Sequence, residues 1–433
     1  MATRIFGILA TLALVLSVGA VRPTTTHAGI EILPANEGGV NRQVVGAEDV
    51  EPRVLLMDAG ALVTVRGAVR SGDPTLAPAL TQLRVEADRA VRQGPYSVVM
   101  KHGMAPSGDP HDYVSLSIYW WPNPDTPNGL PYVLRDGQRN PQAGDSTYDE
   151  RALSRMSNAV ETLALAWYLT GSPAYADAAA RQLRGWFLSP ETRMNPNMRF
   201  AAVIPGRPAE RGFGIIQSRA FLRVADAAAL LRGASVWTAG EQAGLEGWYA
   251  ELLRWLAESN QGQMESRERN NHSSWYDAQV AGFAAFAGRP VLASEVVEAA
   301  GDGRIARQIE PDGRQTEELK RTRSLTYSAF NLQALMALAT IGSRVGVDLW
   351  GYQTGDGRGL RPALDLLVPL ADGGAWPYPQ SDSPELPVLL APLLASAARG
   401  YPDGPYTALL DRLVPTLPPL AQLKVRLGLW EIT

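Results

Sequence analysis

The 433-residue sequence has no cysteine and only four histidines. Without a thiol the chain has no disulfide and no cysteine nucleophile, so its stability depends on burying a large apolar core. The histidines beyond residue 28 (His102, His111 and His272) show no His/Asp/Glu spacing typical of metal ligands, and we predict no metal site. A Walker loop and a G-x-S-x-G elbow are also missing, and "GFGII" at 212–216 lacks the spacing of a nucleotide-binding loop.

An excess of positive charge is missing as well. Acidic residues number 44 and basic residues 40, which gives a formal charge of −4. This balance argues against nucleic-acid binding, because such proteins need a strong basic surface. It leaves room for a polyanionic substrate in a locally basic cleft. Lysine is rare and arginine abundant, and the arginine fork is the better partner for carboxylates.

Long apolar runs are absent beyond the N-terminus. Residues 1–4 supply a positive start and residues 5–21 are nearly all apolar, which predicts a signal peptide over 1–28, cleaved after Ala20 or Ala28. An uncleaved anchor is the alternative. Residues 1–28 contain Arg4 and Arg22 and no acid, so removing all of them changes the charge from −4 to −6. We therefore expect a periplasmic or secreted protein with no remaining membrane span, a linker over 29–50 and one domain over 51–433.

The sequence after the linker has the periodicity of helices. In "RALSRMSNAVETLALAWYLTG" the apolar residues recur at steps of three or four and share one helix face: Leu153, Met156, Val160, Leu163 and Trp167. Gly171 is expected to end this helix. The next one is expected to begin with Ser172 as cap and Pro173 in the first turn.

The same succession of helix, Gly/Pro break and helix returns along the chain. The predicted hairpins are 53–93, 149–188, 217–257, 273–300, 324–370 and 385–416. They have no fixed period, which argues against a solenoid of identical units. We predict an all-α fold, an α/α toroid of about six helical hairpins with long loops over a central cleft. A stacked helical array is the alternative.

Two long segments interrupt the helices, at 96–148 and 193–214. Both are rich in Pro and Gly, and long loops inside a compact domain are usually functional. The first contains Trp120 and Trp121, whose flat faces suit stacking on sugar rings. A hydrophobic plug that anchors the loop is the alternative. The segment "WPYPQ" at 376–380 is a similar, weaker candidate.

The stretch "RNNHSSWYDAQV" at 269–280 places hydrogen-bonding groups at a helix entrance. One asparagine suits the helix N-cap, which leaves a second asparagine and His272 without a capping role. A helix N-terminus with amide donors is also a natural site for a carboxylate. We therefore predict that Asn271 and His272 bind an anionic group.

A second cluster of polar groups lies in "EELKRTRSLTYSAFNLQALMAL" at 317–338. Lys320, Arg321 and Arg323 precede a predicted helix, and Tyr327 lies in its first turns. Cations at a helix N-terminus are unfavourable, so a compensating anion is expected, either the glutamates of the same segment or a ligand. A solvated basic end with a core tyrosine is the alternative.

The chain resembles the alginate-lyase family of polysaccharide lyases. The resemblance covers residues from about 95 to 380 and rests on five segments in order: "DYVSLSIYWWPNPDTPNGLPYVLRDGQRNP", "RMNPN", "NNHSSWYD", "RTRSLTYSAFNL" and "WPYPQ". It implies the α/α-toroid fold and β-elimination across a 4-linked uronic acid. Alginate, polymannuronate and glucuronan are all open as substrates, and no cofactor is implied.

The resemblance also implies roles for four residues. Asn271, His272 and Arg321 would neutralise the uronate carboxylate, and Tyr327 would act at C5 and at the leaving O4. The Arg-to-Tyr spacing is six here and seven in well-known alginate lyases, so Arg323 is a rival that would share a helix face with Tyr327. Neighbouring arginine and imidazolium are expected to lower the pKa of the phenol. His272 as the base with Tyr327 as the acid is the alternative.

Further residues complete the predicted site. The expected substrate-binding residues are Lys101, His102, Trp120, Trp121, Arg199, Arg323, Tyr378 and Gln380, with Arg207 as a further contributor to the basic cleft. We expect an acidic polysaccharide as the partner and a monomer as the state. Two other functions remain open: a glycoside hydrolase, for which Asp109, Asp112 and Asp277 are the available carboxylates, and a saccharide-binding protein without turnover.

Overall fold

The computed structural model describes residues 51–208 and 211–429. The predicted signal peptide (1–28) and linker (29–50) lie outside the described residues. The described residues belong to one unit, Asp49–Thr433. Among them, no helix has both the length and the apolar character needed to cross a membrane.

Helices dominate the described part of the chain. They are α1 (Ala59–Arg70), α2 (Ala77–Val91), α3 (Glu150–Thr170), α4 (Pro173–Leu183), α5 (Ala220–Leu230), α6 (Ala239–Glu258), α7 (Asn260–Ser266), α8 (Asn271–Phe286), α9 (Pro290–Ala300), α10 (Ala306–Gln308), α11 (Thr316–Leu319), α12 (Ser324–Val345), α13 (Leu360–Leu367), α14 (Leu386–Gly400), α15 (Tyr406–Leu413) and α16 (Pro419–Arg426). The strands are β1 (Val114–Leu116), β2 (Trp120–Trp121), β3 (Val133–Leu134) and β4 (Phe200–Val203).

The helix ends follow local sequence signals. Gly171 takes φ +71° and ends α3, as predicted, because a residue without a Cβ adopts this left-handed conformation freely. Pro173 begins α4 after Ser172, although the Ser172 side chain makes no capping hydrogen bond. Thr238 and Glu241 form a reciprocal capping box at the start of α6. The predicted hairpins correspond to helix pairs, and the short helices α7, α11 and α16 were not predicted.

The long helices pack as a circuit around one core. Helix α3 packs against α5, α5 against α8, α8 against α12 and α12 against α14. Helix α16 contacts both α14 and α2, and α2 contacts α3, so the succession of contacts closes on itself. The partners α4, α9 and α15 pack against α3, α8 and α14. This arrangement confirms the all-α toroid, with a continuous apolar core between its helices.

The segment 96–148 is more ordered than the sequence suggests. Strand β1 pairs in parallel with β4, which lies in the other long interruption. Strand β2 pairs antiparallel with β3, so that Trp120 faces Leu134 and Trp121 faces Val133. The two predicted loops are therefore joined to each other through a small sheet.

A buried carboxylate fixes the first described residues to the core. Asp226, on α5, accepts hydrogen bonds from the backbone N–H groups of Leu55, Leu56 (2.9 Å) and Met57 (2.8 Å). Burial raises the pKa of Asp226 to about 6, although these donors and Arg344 oppose the shift. Residues 55–57 thus depend on α5 for their position, and Asp226 depends on them for its hydrogen bonds.

Candidate active site

The start of helix α8 presents two polar side chains with different environments. Asn270 is the N-cap, and its side chain accepts a hydrogen bond of 3.0 Å from the backbone N–H of His272. Asn271 and His272 are the first helical residues. The expectation that one asparagine caps the helix is confirmed, and the second makes a separate interaction.

Asn271 is bound by the buried carboxylate of Glu318, on α11. Its backbone N–H donates to Oε1 at 2.6 Å and its Nδ2 donates to Oε2 at 2.9 Å. The Asn271 Oδ1 atom is buried and has no hydrogen-bond partner among the described residues. Burial raises the pKa of Glu318 to about 7, while the two bonds from Asn271 and the charge of Arg321 oppose the shift.

His272 is held by a second buried carboxylate. Its Nδ1 lies 2.7 Å from Oε1 of Glu265, whose side chain on α7 is fully buried. Because an ionised carboxylate only accepts, Nδ1 carries the proton and Nε2 is the ring nitrogen that does not face Glu265. Burial lowers the pKa of His272, but attraction to Glu265, supported by Glu268 and Glu318, outweighs it, so the net shift is upward.

Arg321 lies against the ring of Tyr327. The guanidinium carbon is 3.7 Å from the ring centroid, a cation–π contact. Asp136 fixes the other side of the guanidinium, with its Oδ1 2.6 Å from Nη2 and 3.2 Å from Nε. Arg321 thus lies between a carboxylate from the 96–148 segment and a phenol on α12.

The Tyr327 hydroxyl donates a hydrogen bond of 2.8 Å to the hydroxyl of Tyr119. Burial raises the pKa of Tyr327 well above its usual value, and the opposing effect of Arg321 is smaller. The expectation of a lowered phenol pKa is therefore wrong. Its reason is that desolvation of the phenolate outweighs one neighbouring cation, while Tyr119 and Asp136 also raise the pKa.

The four predicted catalytic residues belong to one connected cluster. Glu318 binds Asn271 directly and lies on the same segment as Arg321, whose backbone N–H donates to the Glu318 carbonyl at 3.1 Å. The charges of Arg321 and His272 both act on Glu318. Arg321 in turn contacts Tyr327. The structure therefore brings an amide, an imidazole, a guanidinium and a phenol together between the starts of α8 and α12.

Each of the three cations at the start of α12 is paired with a carboxylate. Glu317 pairs with Lys320 at 2.6 Å, as one alternative predicted. Arg321 uses Asp136 instead, and Arg323 lies 2.5 Å from Asp382. Two of the three anions thus come from distant segments.

Arg323 does not share a helix face with Tyr327, which corrects the basis of its rivalry with Arg321. It is the N-cap of α12, with backbone angles that are neither helical nor extended (φ −119°, ψ 55°), and it forms a β-bridge with Gln380. The Gln380 side chain accepts from the backbone N–H of Leu325 at 2.8 Å, and its amide nitrogen donates to Asp382 at 2.5 Å. These groups hold the beginning of α12 in place, and Arg321 is the arginine at Tyr327.

The two tryptophans of the 96–148 segment are half-buried, and arginines lie near their rings. The Arg207 guanidinium lies 4.7 Å from the Trp120 ring, and Arg135 lies 5.3 Å from the Trp121 ring. The Trp121 indole N–H donates to the Gln138 carbonyl at 2.8 Å. The rings are thus neither a buried plug nor bare platforms, and their contact with sugar stays a prediction.

Lys101 does not belong to an open basic cleft, which corrects the prediction. Its side chain is only 2% exposed, pairs with Asp149 at 3.2 Å and donates to three backbone carbonyl groups. Burial of this pair in a low-dielectric environment makes Lys101 a structural residue. His102, by contrast, is exposed and its Nδ1 lies 3.0 Å from the hydroxyl of Ser146.

Two further predicted binding residues, Arg199 and Tyr378, contact aromatic rings. Arg199 is exposed beside the Phe200 ring, at 5.2 Å. Tyr378 is half-buried and packs edge-to-face on Trp376, at 5.1 Å. Their roles in substrate binding remain predictions.

Four contact residues were missed by sequence reasoning: Tyr119, Asp136, Glu265 and Glu318. Tyr119 adjoins the predicted Trp120, and Glu318 is one of the glutamates of the 317–338 segment that were considered only as partners of the cations. Asp136 and Glu265 carried no local signal, since each meets its partner only in the folded chain. Asp136 is 185 positions from Arg321.

The three carboxylates considered for a hydrolase do not provide the general acid and its partner carboxylate that such an enzyme needs. Asp277 is bound by Arg304 at 2.7 Å. Asp109 and Asp112 both accept from the side-chain amide of Asn195, at 2.9 Å each. The backbone hydrogen bond from His111 and the Asn195 bond lower the pKa of Asp109, whereas a general acid needs a raised one. Within residues 51–208 and 211–429 there is also no His/Asp/Glu cluster suited to a metal ion.

A helical toroid that holds an amide, an imidazole and a guanidinium beside a phenol is the arrangement expected of a toroid polysaccharide lyase. A sequence model described as alginate lyase matches residues 97–376. An alginate lyase from Bacteroides ovatus is 34% identical with a TM-score of 0.83, and the match covers 87% of this chain and 99% of that one. The chain belongs to the alginate lyase family and is a polysaccharide lyase.

More distant structures share the fold. Alginate lyase A1-III from Sphingomonas species A1 is 17% identical with a TM-score of 0.53, over 83% of this chain and 92% of that one. A variant of alginate lyase A1-III complexed with a tetrasaccharide is 15% identical with a TM-score of 0.54, over 88% and 98%. No curated protein sequence matches the chain.

Proposed function

We propose that the protein cleaves 4-linked uronic acid polymers, such as alginate, polymannuronate or glucuronan, by β-elimination. The observation that carries this proposal is the contact of Arg321 with Tyr327, in a cluster that Glu318 joins to Asn271. Family membership supports the reaction type. An anionic sugar would meet a cation, an imidazole and an amide at one end of two helices, where donors for a carboxylate are favourable.

The reaction requires a proton transfer and a bond cleavage. A base removes the proton at C5, and the electron pair passes into the carboxylate as an enolate-like intermediate. Arg321 and His272 stabilise that negative charge, and Asn271 contributes the second hydrogen of its Nδ2, since the first is bonded to Glu318. The C4–O4 bond then breaks, a C4=C5 double bond forms, and an acid protonates the leaving O4.

Tyr327 suits the role of acid. Its raised pKa keeps the phenol protonated, so the hydroxyl has a proton to donate to O4. His272 suits the role of base when its ring is neutral, because Glu265 fixes the Nδ1 proton and leaves Nε2 to accept one. In this assignment His272 is the base and Tyr327 is the acid, which is the alternative drawn from the sequence. It applies to a substrate whose C5 proton faces the imidazole.

The test is the formation of unsaturated uronate, followed by ultraviolet absorbance, with a panel of defined uronans. Tyr327→Phe is expected to lower kcat by about 10²–10⁴-fold with KM nearly unchanged, since it removes one proton donor from the chemical step. Tyr96→Phe, which removes an exposed hydroxyl bonded to Gln93, is the matched control.

Other outcomes would replace the proposal. New reducing ends without absorbance would indicate a hydrolase, and binding without product would indicate a saccharide-binding protein. A fully active Tyr327→Phe variant would show that another group protonates O4.

We further propose that the protein is exported, with a signal peptide over 1–28, a linker over 29–50 and one catalytic domain over 51–433, and that it acts as a monomer. The N-terminus begins with a positive charge and continues with an apolar run, which supports export. N-terminal sequencing of the protein from periplasm and medium, with its mass in solution, tests these points. A retained N-terminus or a dimer mass would contradict them.

A further inference from the structure

The segment "GFG" at 212–214 is held rigidly between two elements of the site. A Cβ on Gly212 would lie 2.9 Å from the carbonyl oxygen of Gln261 and 3.2 Å from the backbone nitrogen of Glu265, both on α7. A Cβ on Gly214 would overlap the carbonyl group of Ala201, on β4. Only glycine permits both approaches, so the backbone on each side of Phe213 has little freedom.

The Phe213 ring is partly exposed to solvent beside the site. Phe213 is 38% exposed, which is unusual for a phenylalanine. Its ring lies edge-to-face with the imidazole of His272, at 5.5 Å between centroids and 73° between planes. Phe213 and His272 are positioned by the same helix, because Gly212 packs on α7 at Glu265, the residue that binds His272.

A cation accompanies the ring. The Arg211 guanidinium lies 5.5 Å from the Phe213 centroid. Its Nε is buried and has no hydrogen-bond partner among the residues that the structure describes. A buried guanidinium donor without a partner costs free energy unless an acceptor reaches it.

We propose that Phe213 and Arg211 form a subsite for a uronate ring next to the one that is cleaved. The proposal rests on the proposed lyase function. The aromatic face packs on the apolar C–H face of the sugar, and Arg211 pairs with its carboxylate, which supplies an acceptor for the Nε atom that has none among the described residues. A sugar ring on Phe213 also borders the imidazole, so chain binding and the orientation of the cleaved residue are linked.

The experiment compares uronate trisaccharide, tetrasaccharide, pentasaccharide and polymer as substrates. Phe213→Ala is expected to raise KM about tenfold for the longer substrates and to have little effect on the shortest one that does not reach the subsite, the loss expected for one aromatic contact. Phe213→Tyr keeps the flat face and is expected to retain the wild-type KM. Val291→Ala, which shortens an exposed side chain on α9, is the control.

The outcomes separate the two proposals. A wild-type enzyme without unsaturated product from any uronan would refute the lyase function itself. An active wild type whose kinetics do not change in Phe213→Ala would refute the subsite alone. A fall in kcat that is equal for all chain lengths, with KM unchanged, would also refute it, since Phe213 would then only orient His272. If Phe213→Ala does not fold, Phe213→Leu, which keeps apolar volume but not the flat face, takes its place with the same expectation.

Discussion

Replacing Glu318 by glutamine is expected to stabilise the protein near pH 8 and to make it a slower enzyme. Glu318 is a buried carboxylate whose only hydrogen-bond donors among the described residues are the two N–H groups of Asn271. No cation lies in salt-bridge distance of it within the described residues. Glutamine has nearly the same shape but carries no charge that must be desolvated.

The size of the effect follows from the pKa. Burial raises the pKa of Glu318 from 4.5 to about 7. The folded state therefore holds this proton more strongly than the unfolded state, and the wild type loses stability as the pH rises from about 4.5 through 7. At about 1.4 kcal/mol for each pKa unit, the loss amounts to about 3 kcal/mol near pH 8. Glutamine does not titrate and avoids it.

The measurement is the free energy of unfolding in urea for wild type and Glu318→Gln, near pH 4.5 and near pH 8. The difference between the two proteins is expected to grow by about 3 kcal/mol over this range in favour of the variant. Contributions from other buried acids, such as Asp149 and Asp226, are common to both proteins and cancel. Glu317→Gln, at the adjacent exposed position, is the control and should show no such growth.

The activity of Glu318→Gln should move in the opposite direction. An ionised Glu318 only accepts, so it forces the Nδ2 of Asn271 toward itself, whereas glutamine presents an amide that tolerates either orientation. We expect kcat to fall at least about tenfold, the effect of one lost charge-assisted hydrogen bond. A stability difference that is constant with pH would refute the raised pKa, and full activity in the variant would refute the positioning role.

Two further substitutions test the supports of the cluster. Asp136→Asn should lower kcat/KM by about 10–100-fold, because Arg321 loses its ion pair and one hydrogen bond to a charged group is worth about 1.5–3 kcal/mol. The control is Asp312→Asn, which changes the exposed pair with Arg314. Equal effects of the two substitutions would contradict the role of Asp136. Glu265→Gln should lower the pKa of His272, because burial remains while the main attraction is lost; titration of the His272 ring protons by NMR measures it, and an unchanged value would show that Glu265 does not set the protonation of His272.

The helices could be predicted because their signals are local. Gly171, Pro173 and the periodic apolar residues of α3 act within a few turns of the chain, so the hairpins follow from the sequence directly. The toroid was predicted from the succession of hairpins, and the family resemblance implied the same fold, but which helices pack against each other was not predicted. The short helix α7 was missed because it has no strong apolar periodicity, which is the local signal that reveals the longer helices.

The site was predicted where its residues are neighbours in the chain and missed where they are not. Asn271 and His272 adjoin each other, and Arg321 lies six residues before Tyr327. Their supports come from other segments, as Asp136 does for Arg321. Lys101 was assigned wrongly because an isolated lysine in a polar loop looks solvated, and only the folded chain brings Asp149 to it.

The three N–H groups that meet Asp226 set a limit on how far the front of the chain can be trimmed. Cleavage anywhere ahead of residues 55–57, including the expected export site, leaves these three hydrogen bonds intact. A cut beyond Met57 would leave the buried Asp226 carboxyl without these donors and raise its pKa further, at a cost that is a substantial part of the stability of a small domain. Trimming of the N-terminus is therefore limited by a buried contact of the core, far ahead in the sequence of the predicted catalytic residues.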